Sequence, residues 1–187
     1  MSNPSSSQRR VAVFCGSAFG RDPAFRAEAA ALGTAIAEAG LGLVYGGASR
    51  GLMGVVADAA LAAGGEAIGV LPRALSGREI AHARLTTLEL VGTMHERKAR
   101  MHELCDAIVV LPGGYGTLDE LLEAVTWAQI GLHAKPVVLV NTANYWRGLL
   151  AFLDAAVESG FIEARNRALM RVAANAAEAL VMAGVVA

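Results

Sequence analysis

The chain has 187 residues, a formal net charge of -1, a pI near 6.4 and a mean hydropathy of +0.45. That length suits one domain with a substantial core, and the near-neutral charge balance excludes the basic field by which proteins collect nucleic acid through counterion release. No apolar run approaches the roughly 18 residues of a membrane span, so a membrane protein is excluded as well.

The opening MSNPSSSQRR is polar and lacks the hydrophobic stretch of a signal peptide. It reads as a disordered tail over 1–10 ahead of one domain over 11–187 in a cytoplasmic protein. A first strand, VAVFC (11–15), leads through the loop CGSAFG to a helical pattern over about 22–39. LGLVY (41–45) follows, then YGGASRGLMG and a helix over 51–63. AIGVL (67–71) precedes LPRALSGREIAHARL (71–85), where Pro72 and Gly77 suggest an irregular loop able to lie over a site. TLELV (87–91) and a helix over 93–105 come next, then AIVVL (107–111), LPGGYGTLDE and a helix over 117–131. PVVLV (136–140) and helices over 146–159 and 174–185 complete the pattern.

Most of these strands are continuously apolar, the pattern of strands buried on both faces of a parallel sheet. Their alternation with helices predicts a single α/β domain with a doubly wound parallel sheet in three layers. Ligands in such sheets collect at the carboxyl ends of the strands. The glycine-rich loops after the first, second and fifth strands therefore outline one pocket.

Several nucleotide and cofactor chemistries are absent. The first loop reads Gly16, Ser17, Ala18, Phe19, Gly20, without the G-x-G-x-x-G of a dinucleotide site, and no acid ends the second strand. GGASRGLMG has Leu52 and Met53 where a phosphate-binding loop of an NTPase has Lys and Ser or Thr. His82, His95, His102 and His133 form no close-spaced ligand cluster, so no metal is expected, and His95 and His102 fall on the polar side of their helix. The chain's only lysines are Lys98 and Lys135, a poor supply for pyridoxal phosphate chemistry, and no other cofactor is implied. Cys15 and Cys105 sit far apart in apolar segments and read as buried free thiols.

Two constellations remain. In TMHERKARMHEL, Thr93 and Glu96 form a capping-box start, and the helical stripe is Met94, Arg97, Lys98, Met101, Leu104 and Cys105. Two cations on an apolar face either snorkel outward or meet an anionic partner. The opposite face, including His102 and a Glu96–Arg100 pair, reads as solvated surface. In LPGGYGTLDE the glycines and Thr117 offer backbone N–H groups to an anion at a helix start. Glu120 is either the far end of a second capping box that begins at Thr117 or a functional carboxylate. The stripe Leu118, Leu121, Leu122 and Val125 faces the sheet on this reading and leaves Glu120 to one side.

PGGYGTLDE resembles the PGGxGTxxE signature of the LOG ("lonely guy") family, and MHERKARM resembles the RK-containing helix that precedes it there. GGASRGLMG and REIAH look like their counterparts, so the resemblance runs from Val11 to the last helix. It implies a homodimeric Rossmann-like fold and a phosphoribohydrolase that splits nucleoside 5'-monophosphates, cytokinin ribotides above all, into free base and ribose 5-phosphate. The resemblance makes Arg97 and Glu120 the catalytic pair, and an opposite charge within hydrogen-bonding reach favours the carboxylate form, so Arg97 is expected to hold Glu120 ionised. It makes Gly46, Gly47, Glu79, Met94, Lys98, Gly113, Gly114, Tyr115, Gly116 and Thr117 substrate-binding. A non-catalytic nucleotide carrier or sensor is the competing expectation, because relatives of this fold include such proteins.

Overall fold

The computed structural model describes residues 8–76 and 81–186. Its elements run β1 (Arg10–Phe14), α1 (Pro23–Glu38), β2 (Gly42–Tyr45), α2 (Gly51–Ala62), β3 (Glu66–Pro72), α3 (Arg73–Ser76), β4 (Thr87–Val91) and α4 (Met94–Leu104). They continue with β5 (Ala107–Val110), α5 (Tyr115–Gln129), β6 (Val137–Val140), a 3-10 turn (Thr142–Asn144), α6 (Arg147–Glu158), α7 (Ala164–Arg167), β7 (Met170–Ala173) and α8 (Ala176–Met182).

The strands form one seven-stranded sheet in the order β4-β3-β2-β1-β5-β6-β7, and every neighbouring pair is parallel. Val11 pairs with Leu43 on one side and Ala107 on the other, so β1 lies at the point where the winding reverses. Loops leaving β1 and β5 diverge to opposite faces there and open a crevice at the carboxyl edge.

Strand periodicity of two explains why the sequence looks apolar throughout. Val11, Val13, Cys15, Leu43 and Tyr45 belong to a core shared with α1, α2 and α8. Ala12, Phe14, Val44, Ile68 and Val70 face the other way, onto Met101 of α4, Leu121 and Ala124 of α5 and Leu153 of α6. The sheet is thus covered on both faces, as the three-layer expectation requires. Both cysteines are buried free thiols, as the sequence suggested.

Differences from the sequence reading are local. β1 begins at Arg10, inside the expected tail. β7 was not anticipated: its residues MRVA bury only Met170 and Ala173 strongly, a short edge strand without a continuous apolar run. The 71–85 segment is partly regular, since β3 runs to Pro72, α3 follows, and Ala81 makes an antiparallel bridge to Ala48. Residues 77–80, Glu79 among them, lie outside the described residues.

Candidate active site

Helix α4 starts where the sequence placed it. Thr93 Oγ1 accepts the Glu96 N–H at 3.1 Å, while the Glu96 carboxylate reaches one residue further back and accepts the Gly92 N–H at 2.7 Å. Glu96 is therefore not paired with Arg100, which binds Glu89 of β4 at 2.6 Å and Glu103 at 2.9 Å. His102 is also displaced from the expected solvated face. It is buried against Trp127 and His133, with ring centroids 4.7 and 5.3 Å away, and burial pushes its pKa down to about 4.

The two cations of the α4 stripe, Arg97 and Lys98, meet carboxylates of α5 and end differently. Arg97 is 8% exposed, donates from Nη1 to Glu120 Oε1 at 3.0 Å and from Nε to the Val70 carbonyl at 3.0 Å. Its Nη2 lies over Gly46, where an added Cβ would collide with the guanidinium. The guanidinium thus rests on the end of β2 and needs that glycine. Lys98 instead donates to Asp119 at 3.0 Å and Glu123 at 2.9 Å. Burial works against its charge, but the hydrogen bonds to Glu123 and Asp119 raise its pKa. Lys98 is expected on the substrate; the structure ties it to two carboxylates of α5.

Helix α5 begins at Tyr115, two residues before the expected start, with Gly114 as its N-cap and no side-chain cap. The capping box on Thr117 does not form, because Thr117 already lies within the first turn and Glu120 is turned to Arg97. Thr117, Glu120, Leu121 and Ala124 make the buried face, one position N-terminal to the expected stripe, and Leu122 is exposed. That shift puts Glu120 at the centre of the interface. Burial, partly offset by Arg97, raises its pKa to about 7. Arg97 therefore does not outweigh burial, and Glu120 is less readily ionised than the expectation that Arg97 holds it ionised supposes.

A cavity of about 160 Å³ joins these parts, lined by Cys15, Gly16, Ser17, Met53, Arg97, Gly114, Tyr115, Gly116, Thr117 and Glu120. The backbone N–H groups at the start of α5 have no intrahelical acceptor and carry the positive end of the helix dipole. Gly113 packs so closely on Thr117 and Gly16 that a Cβ would not fit, which holds the loop tight. Gly47, at φ 77°, accepts the His82 N–H through its carbonyl at 3.0 Å and packs toward Leu71 and Gly69 of β3; neither it nor Gly46 lines the cavity. Tyr115 lines the cavity while being 94% exposed, whereas Met94, 45% exposed, is not among the residues that line it.

Cys15, Gly16, Ser17 and Met53 are not among the site residues expected from the sequence. The first three lie in the glycine-rich loop after β1, but Met53 carries no signal beyond helical spacing. Burial and the neighbouring Glu120 push the Cys15 thiol well above its ordinary range, so it is protonated. Among the described residues no group of three or more His, Cys, Asp or Glu gathers to hold a metal. The site thus offers a backbone cradle for an anion and, one helical turn away, a buried carboxylate poised near neutrality and held by an arginine.

The family model described as "Possible lysine decarboxylase" matches residues 53–182. A cytokinin riboside 5'-monophosphate phosphoribohydrolase of Arabidopsis thaliana, LOG7, is 46% identical over 170 residues, 91% of this chain and 78% of its own. A probable enzyme of the same description from Oryza sativa subsp. japonica, LOGL9, is 50% identical over 168 residues, 90% of this chain and 74% of its own. Among solved structures, the Moco carrier protein of Chlamydomonas reinhardtii superposes with a TM-score of 0.70 at 26% identity, covering 93% of this chain and 94% of that one. The molybdenum cofactor binding protein of Rippkaea orientalis gives 0.70 at 22% identity, over 95% of this chain and 96% of that one, a likeness of fold. The chain therefore belongs to the LOG family, whose family model bears the decarboxylase description.

Proposed function

We propose that this protein is a phosphoribohydrolase that cleaves the N-glycosidic bond of cytokinin riboside 5'-monophosphates, and of AMP, to give free base and ribose 5-phosphate. The observation that carries the reading is the buried Arg97–Glu120 pair, 3.0 Å apart, beside the N–H cradle of α5. The identities to named phosphoribohydrolases support the choice of substrate.

Breaking the bond sends its electron pair to the departing base and leaves the ribose carbon oxocarbenium-like. The 5'-phosphate sits on the N–H groups from Gly114 to Thr117, with the Thr117 hydroxyl beside them. Arg97 occupies Oε1 of Glu120, which leaves Oε2 for the sugar and the attacking water. The carboxylate takes a proton from that water as oxygen bonds to the ribose carbon, and the base leaves with a proton from solvent. A carboxyl with a pKa near 7 is suited to accept and return a proton at neutral pH. Gly46 acts through Arg97, whose guanidinium it seats, and no metal or cofactor is needed for these steps. The same reading gives Glu79 and Met94 to the base side of the substrate, the molecule to a homodimer and the protein to the cytoplasm, where buried free thiols persist.

HPLC of AMP and isopentenyl-AMP incubated with the protein is the direct test. Free base appearing with ribose 5-phosphate is the expected result; turnover of neither nucleotide sinks the reading. The likeness to carrier proteins supports a second one, a nucleotide binder without chemistry. An AMP-dependent rise in melting temperature without product would favour it.

A further inference from the structure

The turn between β6 and α6 adopts a conformation its side chains disfavour. Ala143 and Asn144 stand consecutively in the left-handed region, at φ 52° and 56°. Residues with a Cβ hold such angles only where surrounding contacts over-determine them, and these positions cluster at functional sites. Here the contacts are internal to the turn. Asn144 N–H donates to the Asn141 carbonyl, Tyr145 N–H to the Thr142 carbonyl, both at 3.1 Å, and Trp146 N–H to Asn141 Oδ1 at 2.8 Å.

Their outcome is the placement of Tyr145. Its ring meets Phe25 of α1 nearly edge-on at 5.5 Å and Trp146 at 4.8 Å. Its hydroxyl donates to the Gly113 carbonyl at 2.5 Å. Gly113 is the residue before the N-cap of α5, and a trans peptide is planar, with its C=O and the next N–H pointing opposite ways. Holding the Gly113 oxygen toward Tyr145 therefore directs the Gly114 N–H away from the Tyr145 hydroxyl; Gly114 lies between the cavity lined by Tyr145 and the cleft lined by Thr117 and Glu120, and lines both. With that peptide turned over, a carbonyl lone pair would face the anion and weaken the cradle.

We propose that Tyr145 is a positioning residue for phosphate recognition: through its hydrogen bond to the Gly113 carbonyl it fixes the peptide whose N–H faces the 5'-phosphate. It touches the loop and not the substrate. The inference rests on the reading that a phosphate occupies the cradle of α5.

Tyr145→Phe keeps the ring packing and removes only the hydroxyl. Calorimetric titration of the full chain with inorganic phosphate is expected to show a Kd raised roughly tenfold, the scale of one hydrogen bond. The KM for AMP rises by the same factor while kcat stays within about twofold and inhibition by adenine is unchanged. A purely structural role would weaken phosphate and adenine alike. Asn141→Ala loosens the turn but keeps the hydroxyl, and a smaller rise in phosphate Kd is expected; it also decides the matter if Tyr145→Phe does not fold. Unchanged phosphate affinity in the folded variants, equal weakening of adenine, or no phosphate binding by the wild type overturns the proposal. A wild type that binds phosphate but releases no base sinks the phosphoribohydrolase reading alone, and the phosphate titration still tests Tyr145.

Discussion

Two ion pairs cross the same interface between α4 and α5, made by neighbouring residues, and they differ in what surrounds the carboxylate. Arg97 meets Glu120 with both side chains buried, 10% and 8% exposed. Lys98 is as deeply buried as Arg97, but its partners Asp119 and Glu123 are 58% and 22% exposed. Water reaches the carboxylates of the second pair, which hold the two helices together through Lys98. Glu120 has only Arg97, and its proton affinity rises toward neutrality. One interface thus contains a fastener and a titrating group, separated by a single residue on each helix.

The largest effect belongs to Glu120. Glu120→Gln keeps an oxygen for Arg97 and is expected to lower kcat for AMP about a thousandfold, the middle of the range for a positioned acid–base group. The folded-state pKa of Glu120 lies above its unfolded value, so its contribution to stability is present below about 4.5 and is lost as pH rises through about 7. The Gln variant should therefore melt no lower than wild type at pH 8, by differential scanning calorimetry. A variant that keeps its activity but loses stability would return Glu120 to a structural role.

Arg97→Met removes the cation that is hydrogen-bonded to a buried carboxylate. It is expected to lower unfolding free energy by about 3 kcal/mol at pH 8 and by less at pH 5, where Glu120 takes up a proton. Urea titrations at the two pH values measure the difference, and equal losses would contradict the coupling. In wild type, kcat/KM for AMP should rise with pH through about 7 as Glu120 becomes a carboxylate. A profile flat from pH 5.5 to 8.5 would remove it as the base.

The fastener should respond more weakly. Lys98→Met leaves two carboxylates that water already reaches, and a loss of about 1 kcal/mol with KM for AMP within about twofold is expected. A large rise in KM would instead put Lys98 on the substrate, as the family resemblance implies. Smallest is Asp119→Asn: Asp119 raises the Glu120 pKa, so the kinetic limb should move slightly to lower pH.

Six strands, the winding of the sheet and the three glycine loops were legible because burial on both faces leaves continuous apolar runs that few other folds produce. β7 escaped because an edge strand of four residues, with Arg171 exposed, has no such run. The cleft was half legible. Arg97 stood out as a cation on an apolar stripe, and that spacing alone left its partner open. Glu120 was ambiguous because capping boxes and catalytic carboxylates share the same spacing. What settled its geometry was the helix start at Tyr115, and a glycine N-cap leaves little trace among neighbouring glycines. His102 misled for the opposite reason. Its ring is buried by Trp127 and His133, which arrive from α5 and the segment before β6, and no pattern within α4 announces them.

Tyr145 had no signal at all, since its role depends on a turn whose angles the sequence NTANYW does not advertise.

Gly46 has a consequence of its own. A methyl group at that position would occupy the place of the Arg97 guanidinium, so Gly46→Ala would act as a built-in competitor, expelling the arginine from its seat and pressing on the Met53 sulfur 3.0 Å away. The vacancy beside the backbone at the end of β2 is thus as much a part of the machinery as the charged groups it admits.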